Sequence, residues 1–392
     1  MSPVNLQLTL PGYRIIQWES NTRMRVYLEV LDTPRSCPYC AGSSLRSKGR
    51  YQRRVRHLDC FEHPSEVVID CRRYRCVGCG RSFVQPLPGI RPGRRSTERW
   101  RQVIYERHQD GIAASALGQR EGVGPATVSR IYAQFTERKA KERLSLDCPR
   151  VLGIDEHTLH KGQRFATTFC DLKRHRVFDL HPGRSEAELA AYLQTLQGRE
   201  KVRVICIDLS HTYRAMIRRW FPNAAVVADR FHAVRLVGLH LLRLARQLCP
   251  ELGWNRAWLG VLRMRGDRLD PAQRARRAQL FVRYPQLTPI YEMKEQICQL
   301  LCLKHLTKQA CRQHIPELLR VIQTLSESGL QAALTLAKAL SDWREEIVRM
   351  WRFSRNNGIT EGFHRKMKLI QRRAYGFRSF NNYRLRVIAQ CG

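Results

Sequence analysis

Met24, Val26, Leu28 and Val30 alternate with Arg25, Tyr27 and Glu29, the two-residue period of a strand with one buried face. A denser pattern starts after residue 150. Residues 151–154, 165–170, 176–180, 202–207 and 225–228 are short apolar runs, with a turn over 171–175. Residues 185–196 have helical spacing behind a capping Ser185. Strand, strand, strand, helix, strand, helix, strand predicts a mixed α/β sheet. From 231 to 350 the strand pattern is absent. Leu-rich and Arg-rich helical segments take over, broken near Pro250, Pro271, Pro285, Pro289 and Pro316, and 351–392 returns to a basic amphipathic helix.

Residues 97–138 read as helices, with Ser96 or Thr97 as the first cap. Within them, 112–132 carries the pattern of a helix-turn-helix. Leu117 packs inward, Gly122 takes the positive φ of the tight turn, Val123 anchors it, and Pro125 opens the second helix. Val128 and Ile131 then pack back, leaving Ala126, Thr127, Ser129 and Arg130 to face a major groove. An ordinary helical hairpin would share much of this spacing.

Charge narrows the class of partner. Lys and Arg number 69 against 34 Asp and Glu, a formal net charge of +35. A polyanion is the natural neutraliser, and double-stranded DNA gains affinity through counterion release. The first residues lack the basic start and apolar run of a signal peptide. No stretch approaches the ~18 apolar residues of a membrane span. A cytoplasmic, nucleoid-associated protein is expected, and its 14 cysteines are then read for metal sites before disulfides.

Cys37-Pro-Tyr-Cys40 and Cys76-Val-Gly-Cys79 are two knuckles, each presenting two thiolates from a tight turn. Together they make a tetrahedral site for structural Zn2+. A redox pair would need one such motif. The remaining cysteines, Cys298 and Cys302 among them, read as small core residues. Arginines between the knuckles, with Tyr51, suit a module that reads DNA ends.

Three acids stand out by place. Asp155 and Asp208 each follow an apolar strand, and Glu361 opens a helix after Asn356-Asn-Gly-Ile-Thr360. Two acids at the mouths of adjacent strands can share two divalent ions that activate an attacking oxygen and stabilise a leaving one. On the third helix, Glu361, Arg365, Lys368 and Arg372 recur on one side and Phe363, Met367 and Ile370 on the other. The cations would hold phosphates beside the metal. Asp229 also ends a strand and reads as an auxiliary position or, with His232, as a helix cap. Glu156 points to the opposite face and is not taken as a ligand. Tyr375 and Arg378 are candidates to stack on or clamp DNA.

Together, Gly153-Ile-Asp-Glu156, Ile207-Asp-Leu-Ser-His-Thr-Tyr-Arg214, Ala228-Asp-Arg-Phe-His-Ala-Val-Arg235, Asn357-Gly-Ile-Thr-Glu-Gly362 and Arg373-Ala-Tyr-Gly-Phe-Arg378 resemble the ISL-three-type family of bacterial insertion-sequence DDE transposases. The resemblance runs through nearly the whole chain in order, and the knuckles match that family's zinc finger. It implies an α/β, RNase H-like catalytic core with a helical insertion, preceded by a zinc-binding module and a helix-turn-helix. The implied segments are 1–90, 91–149, 150–232, 233–350 and 351–392. It also implies a catalytic triad of Asp155, Asp208 and Glu361 on two Mg2+ (Mn2+ as the alternative ion), binding of terminal inverted repeats, DNA cleavage and strand transfer, and a homo-oligomer. A DNA-binding regulator built on an inactive transposase would carry the same DNA-binding modules.

Overall fold

A computed structural model describes residues 10–392 except 21–22, 61–62, 145–146, 161–163, 254 and 354–357. The chain divides into two compact units, Met1–Arg138 and Lys139–Gly392.

The first unit is a sheet followed by three helices. Strands β1 (Tyr13–Ser20), β2 (Met24–Val30), β3 (Leu45–Cys60) and β4 (His63–Cys76) lie in the order β1-β2-β4-β3, with β5 (Ser82–Val84) on β4. The alternation read in β2 holds: Met24, Val26, Leu28 and Val30 are buried against Val55, Val67 and Ile69. Then come α1 (Glu98–Gln109), α2 (Ala114–Glu121) and α3 (Pro125–Leu144). Thr97, not Ser96, caps α1 by accepting the Trp100 N–H. Gly122 ends α2 with φ 66°, and Leu117, Val128 and Ile131 share a core with Trp100, Ile104 and Tyr105. Gly118 is also required: a Cβ there would stand 2.5 Å from the Val123 carbonyl oxygen. The buried Glu121 ties the helices to the sheet through the Trp100 indole N–H at 3.1 Å and Arg56 at 3.8 Å.

The second unit holds another five-stranded sheet. It contains β6 (Val151–His160), β7 (Arg164–Asp171), β8 (Arg176–Pro182), α4 (Glu186–Thr195), β9 (Val204–Ile207), α5 (His211–Trp220) and β10 (Ala225–Ala228). The spatial order is β10-β9-β6-β7-β8. Strands β6, β7 and β8 run antiparallel, while β9 and β10 run parallel to β6. Ser185 caps α4 in a reciprocal capping box with Glu188. Every residue of β9 is buried, as a central parallel strand requires.

Helices complete this unit: α6 (Arg230–Leu248), α7 (Arg256–Arg263), α8 (Pro271–Arg283), α9 (Leu287–Cys302), α10 (Lys308–Glu327), α11 (Gln331–Asp342), α12 (Arg344–Arg352), α13 (Gly358–Arg373) and α14 (Phe380–Cys391). Pro316, expected to break a helix, sits inside α10. A proline removes one N–H donor, but Cys311, Leu318, Val321 and Leu325 bury the same helix on both sides of it. The sheet has two cores. Ile154, Ile205 and Ile207 pack with α4, α5 and the helical segment, whereas Cys170 and Cys206 pack with Met367 and Ile370 of α13 and Tyr383 and Val387 of α14.

Candidate active site

The two knuckles converge in the first unit. Cys37 Sγ lies 3.7 Å from Cys79 Sγ, and Cys40 Sγ lies 3.6 Å from Cys76 Sγ. The four sulfurs all lie within 4.8 Å of one another. A tetrahedron with Zn–S of about 2.3 Å has S···S edges of about 3.8 Å, so the cage matches structural Zn2+. Each turn is closed by backbone bonds, Ala41 N–H to Cys37 O and Gly80 N–H to Cys76 O. Backbone N–H donation from Cys79 pulls the Cys76 thiol down, while Cys40, facing the other sulfurs of the cage, is pushed up. Cys60 and Cys302 are only half-buried; the remaining non-knuckle cysteines are buried as expected. Cys302 accepts from the Arg265 guanidinium at 3.0 Å.

In the second unit, register builds a row of acids. Ile154 pairs with Ile207, and Ile207 with Ala228. The next positions on these three parallel strands are Asp155, Asp208 and Asp229, and the Asp229 N–H continues the ladder to Ile207 O. Asp155 does not end its strand, as the sequence suggested. β6 runs on to His160, paired beyond Asp155 with β7 alone, so Asp155 sits where the β9 pairing stops. Cys206, two residues before Asp208, packs with α13 and α14, which sets Asp208 on the α13 side of the sheet.

The row is charged and short of solvent. Burial, then the neighbouring Asp208, pushes the Asp155 carboxyl up to about 7. Asp208 is also raised, mainly by burial, with His232 opposing. Asp208 Oδ1 is buried without a hydrogen-bond partner. Asp155 Oδ1 accepts the Glu156 N–H at 2.8 Å. Buried, mutually repelling carboxylate oxygens are the donor set that hard divalent cations favour. Asp229 is fully buried and also caps α6, accepting the Phe231 N–H at 3.2 Å, with His232 Nε2 at 3.7 Å, so the structure gives it both the cap and the place in the row.

Helix α13 reaches the same place through a residue the sequence reading missed. His364 Nδ1 stands 3.8 Å from Asp155 Oδ2, and its Nε2 is 3.2 Å from the buried Thr168 hydroxyl. Behind it, His157 packs 5.1 Å away and bonds the Tyr383 hydroxyl at 2.9 Å. Burial holds His364 and His157 down to about 3 and about 4, so both are neutral. The available signal was spacing: His364 lies one turn after Glu361. Glu361 itself is half-buried in the first turn of α13, but it does not join Asp155 and Asp208 in a tight trio. Among the described residues only the four cysteines are that close. Arg365, Lys368 and Arg372 are exposed, and Met367 and Ile370 are buried, as the two-faced helix required. Asn356 and Asn357 lie outside the described residues.

Comparison with known proteins fits both units. Residues 152–387 match a family model described as the transposase domain of ISL3 type. The chain belongs to the ISL3 family of transposases. Its residues 85–136 match the helix-turn-helix domain of that family, and residues 33–79 match the zinc-finger of transposases IS204, IS1001, IS1096 and IS1165. The transposase for insertion sequence element IS1001 of Bordetella parapertussis is 27% identical over 399 residues, covering 96% of this chain and 94% of that protein. This is therefore a DNA-binding insertion-sequence transposase with a zinc-stapled N-terminal module. In this transposase no described helix is long and apolar enough to cross a membrane.

Proposed function

We propose that this transposase binds the terminal inverted repeats of its element, cuts at their ends and joins the freed ends to target DNA, using Asp155, Asp208 and Glu361. The observation that supports this most is the shared register of Asp155 and Asp208 on the sheet face covered by α13, the helix that carries Glu361. Three antiparallel strands followed by two parallel ones, with a closing helix over the acids, is the pattern of an RNase H-like core interrupted at 233–350. Asp155 and Asp208 would hold Mg2+ or Mn2+ jointly, and Glu361 would complete the set. Bound there, two such ions lower the pKa of an attacking water or hydroxyl and stabilise the leaving oxygen.

The protein's own residues orient and hold. His364, kept neutral, limits how the Asp155 carboxylate can turn. Arg365, Lys368 and Arg372 stand along α13 to hold phosphates, and the exposed Tyr375 and Arg378 lie in the turn after it. Thr127, Ser129 and Arg130 line the outer side of α3 for the major groove. Zinc fixes the end of the β3–β4 hairpin where Leu45 pairs with Cys76, the far end from His57, which meets Thr97 at the start of α1, and pairing of two element ends favours a homo-oligomer. The test uses purified chain, end DNA and Mg2+. Cleavage and strand-transfer products are expected, while Asp208→Asn and Glu361→Gln bind DNA and yield neither. Equal cutting by Glu361→Gln would remove it from the set.

A further inference from the structure

Helix α6 begins at Asp229, in the acid row, and leads away into the helical segment. Its buried side includes Ala233, Val237, Leu241 and Leu244. The opposite side carries Phe231, Arg235, Leu239, Leu242 and Arg246, which fall within about 80° of one another at 100° per residue. Phe231 and Leu239 are 47% and 46% exposed, and Arg235 is exposed. At its far end α6 meets α7 in a cleft of about 530 Å3 lined by Arg246, Arg256 and Arg263 with Leu242 and Leu259. Arg256 and Arg263 are seven residues apart, on one face of α7, and both are exposed.

Among the described residues, three of these arginines, Arg235, Arg256 and Arg263, stand without a partner carboxylate. Elsewhere in this unit arginines meet carboxylates: Arg214 and Arg218 flank the buried Glu346, and Arg384 grips Asp179. The ion pairs of this unit lie away from Arg235, Arg256 and Arg263. Apolar and cationic side chains in one exposed stripe suit a sugar-phosphate backbone, whose phosphates take the guanidinium forks. From Asp229 to Arg246 the helix rises about 25 Å, the length of about seven base pairs.

The geometry points to a second DNA surface: the outer stripe of α6 and the α6–α7 cleft hold the phosphate backbone of duplex DNA that continues outward from the acid row. This rests on the catalytic reading above. Its test does not. Full-length chain is titrated with a long duplex at several salt concentrations, without added divalent ion, so no cutting intervenes. Arg256→Ala with Arg263→Ala is expected to weaken binding about tenfold and to flatten the log affinity against log salt line by about two. Arg256→Lys with Arg263→Lys keeps the steeper line and guards against a folding defect. Unchanged affinity and slope in the alanine pair would overturn the surface. So would equal loss in the lysine pair with unaltered melting, or a changed oligomeric mass with unchanged DNA binding, which would make the cleft a contact between copies. Failure of the wild type to cut in Mg2+ would sink the catalytic reading and leave this outcome standing.

Discussion

Asp155 and Asp208 occupy the same level of two hydrogen-bonded parallel strands, because Ile154 and Ile207 pair immediately before them. Replacing either with Asn keeps the shape and removes a charged metal donor. Cleavage of end DNA is expected to fall on the order of a thousandfold, with DNA affinity in the absence of divalent ions unchanged or slightly higher. A cleavage gel beside an anisotropy titration measures both. Matching losses in affinity would point to a folding or binding role.

Asp155 makes the metal-free fold sensitive to pH. Its folded pKa, about 7, lies above the value of about 4 expected in the unfolded chain. The fold therefore prefers the protonated acid. The cost is absent below about pH 4, grows between about 4 and 7, and is complete above. Asp155→Asn removes it, so the mutant's melting temperature should exceed the wild type's by a margin that widens from pH 5 to pH 8. Melting curves in a chelator-free, divalent-free buffer, at both pH values, would show it. A constant margin would mean that Asp155 is not strained.

Cys40→Ser removes one corner of the sulfur cage, whose members lie within 4.8 Å. Zinc content should drop from about one per chain toward zero, and the first unit should melt earlier. Elemental analysis and proteolysis of the two knuckles report this. Full zinc retention by the variant would contradict four-cysteine ligation.

Gly118 lets the helix-turn-helix close, since a Cβ would collide with the Val123 carbonyl oxygen. Gly118→Ala should cost about 1–3 kcal/mol of stability in the first unit, read by chemical denaturation, and weaken end-DNA binding. Gly124→Ala, where a Cβ meets nothing within 4 Å, serves as the control.

Tyr383 is 1% exposed and its hydroxyl bonds His157 Nε2. Tyr383→Phe leaves that nitrogen without its partner and should cost about 1–2 kcal/mol, again by denaturation. A neutral outcome would show that the ring alone matters.

Local pattern made part of this legible. Alternation in β2 and the fully apolar β9 announce themselves, and the spacing of Cys37, Cys40, Cys76 and Cys79 states a metal site before any fold is known. Asp155 and Asp208 were legible as acids behind apolar runs. Their common level was not, because register belongs to pairs of strands that are distant in sequence. The outer half of β6 hid for a related reason: Glu156, His157 and Thr158 lack an apolar period and are held by β7 alone. His364 carried no signal beyond its spacing from Glu361, since a histidine on a basic helix is ordinarily solvated. Pro316 misled because helix-breaking is a local preference, and burial of Leu318 and Val321 overrides it.

More than a hundred residues separate β10 from α13 along the chain. During synthesis the aspartates can therefore be laid down long before the helix that roofs them emerges from the ribosome. A nascent or truncated polypeptide that stops anywhere in between holds the acids on a bare, greasy sheet face exposed to water, which invites aggregation before it permits any chemistry.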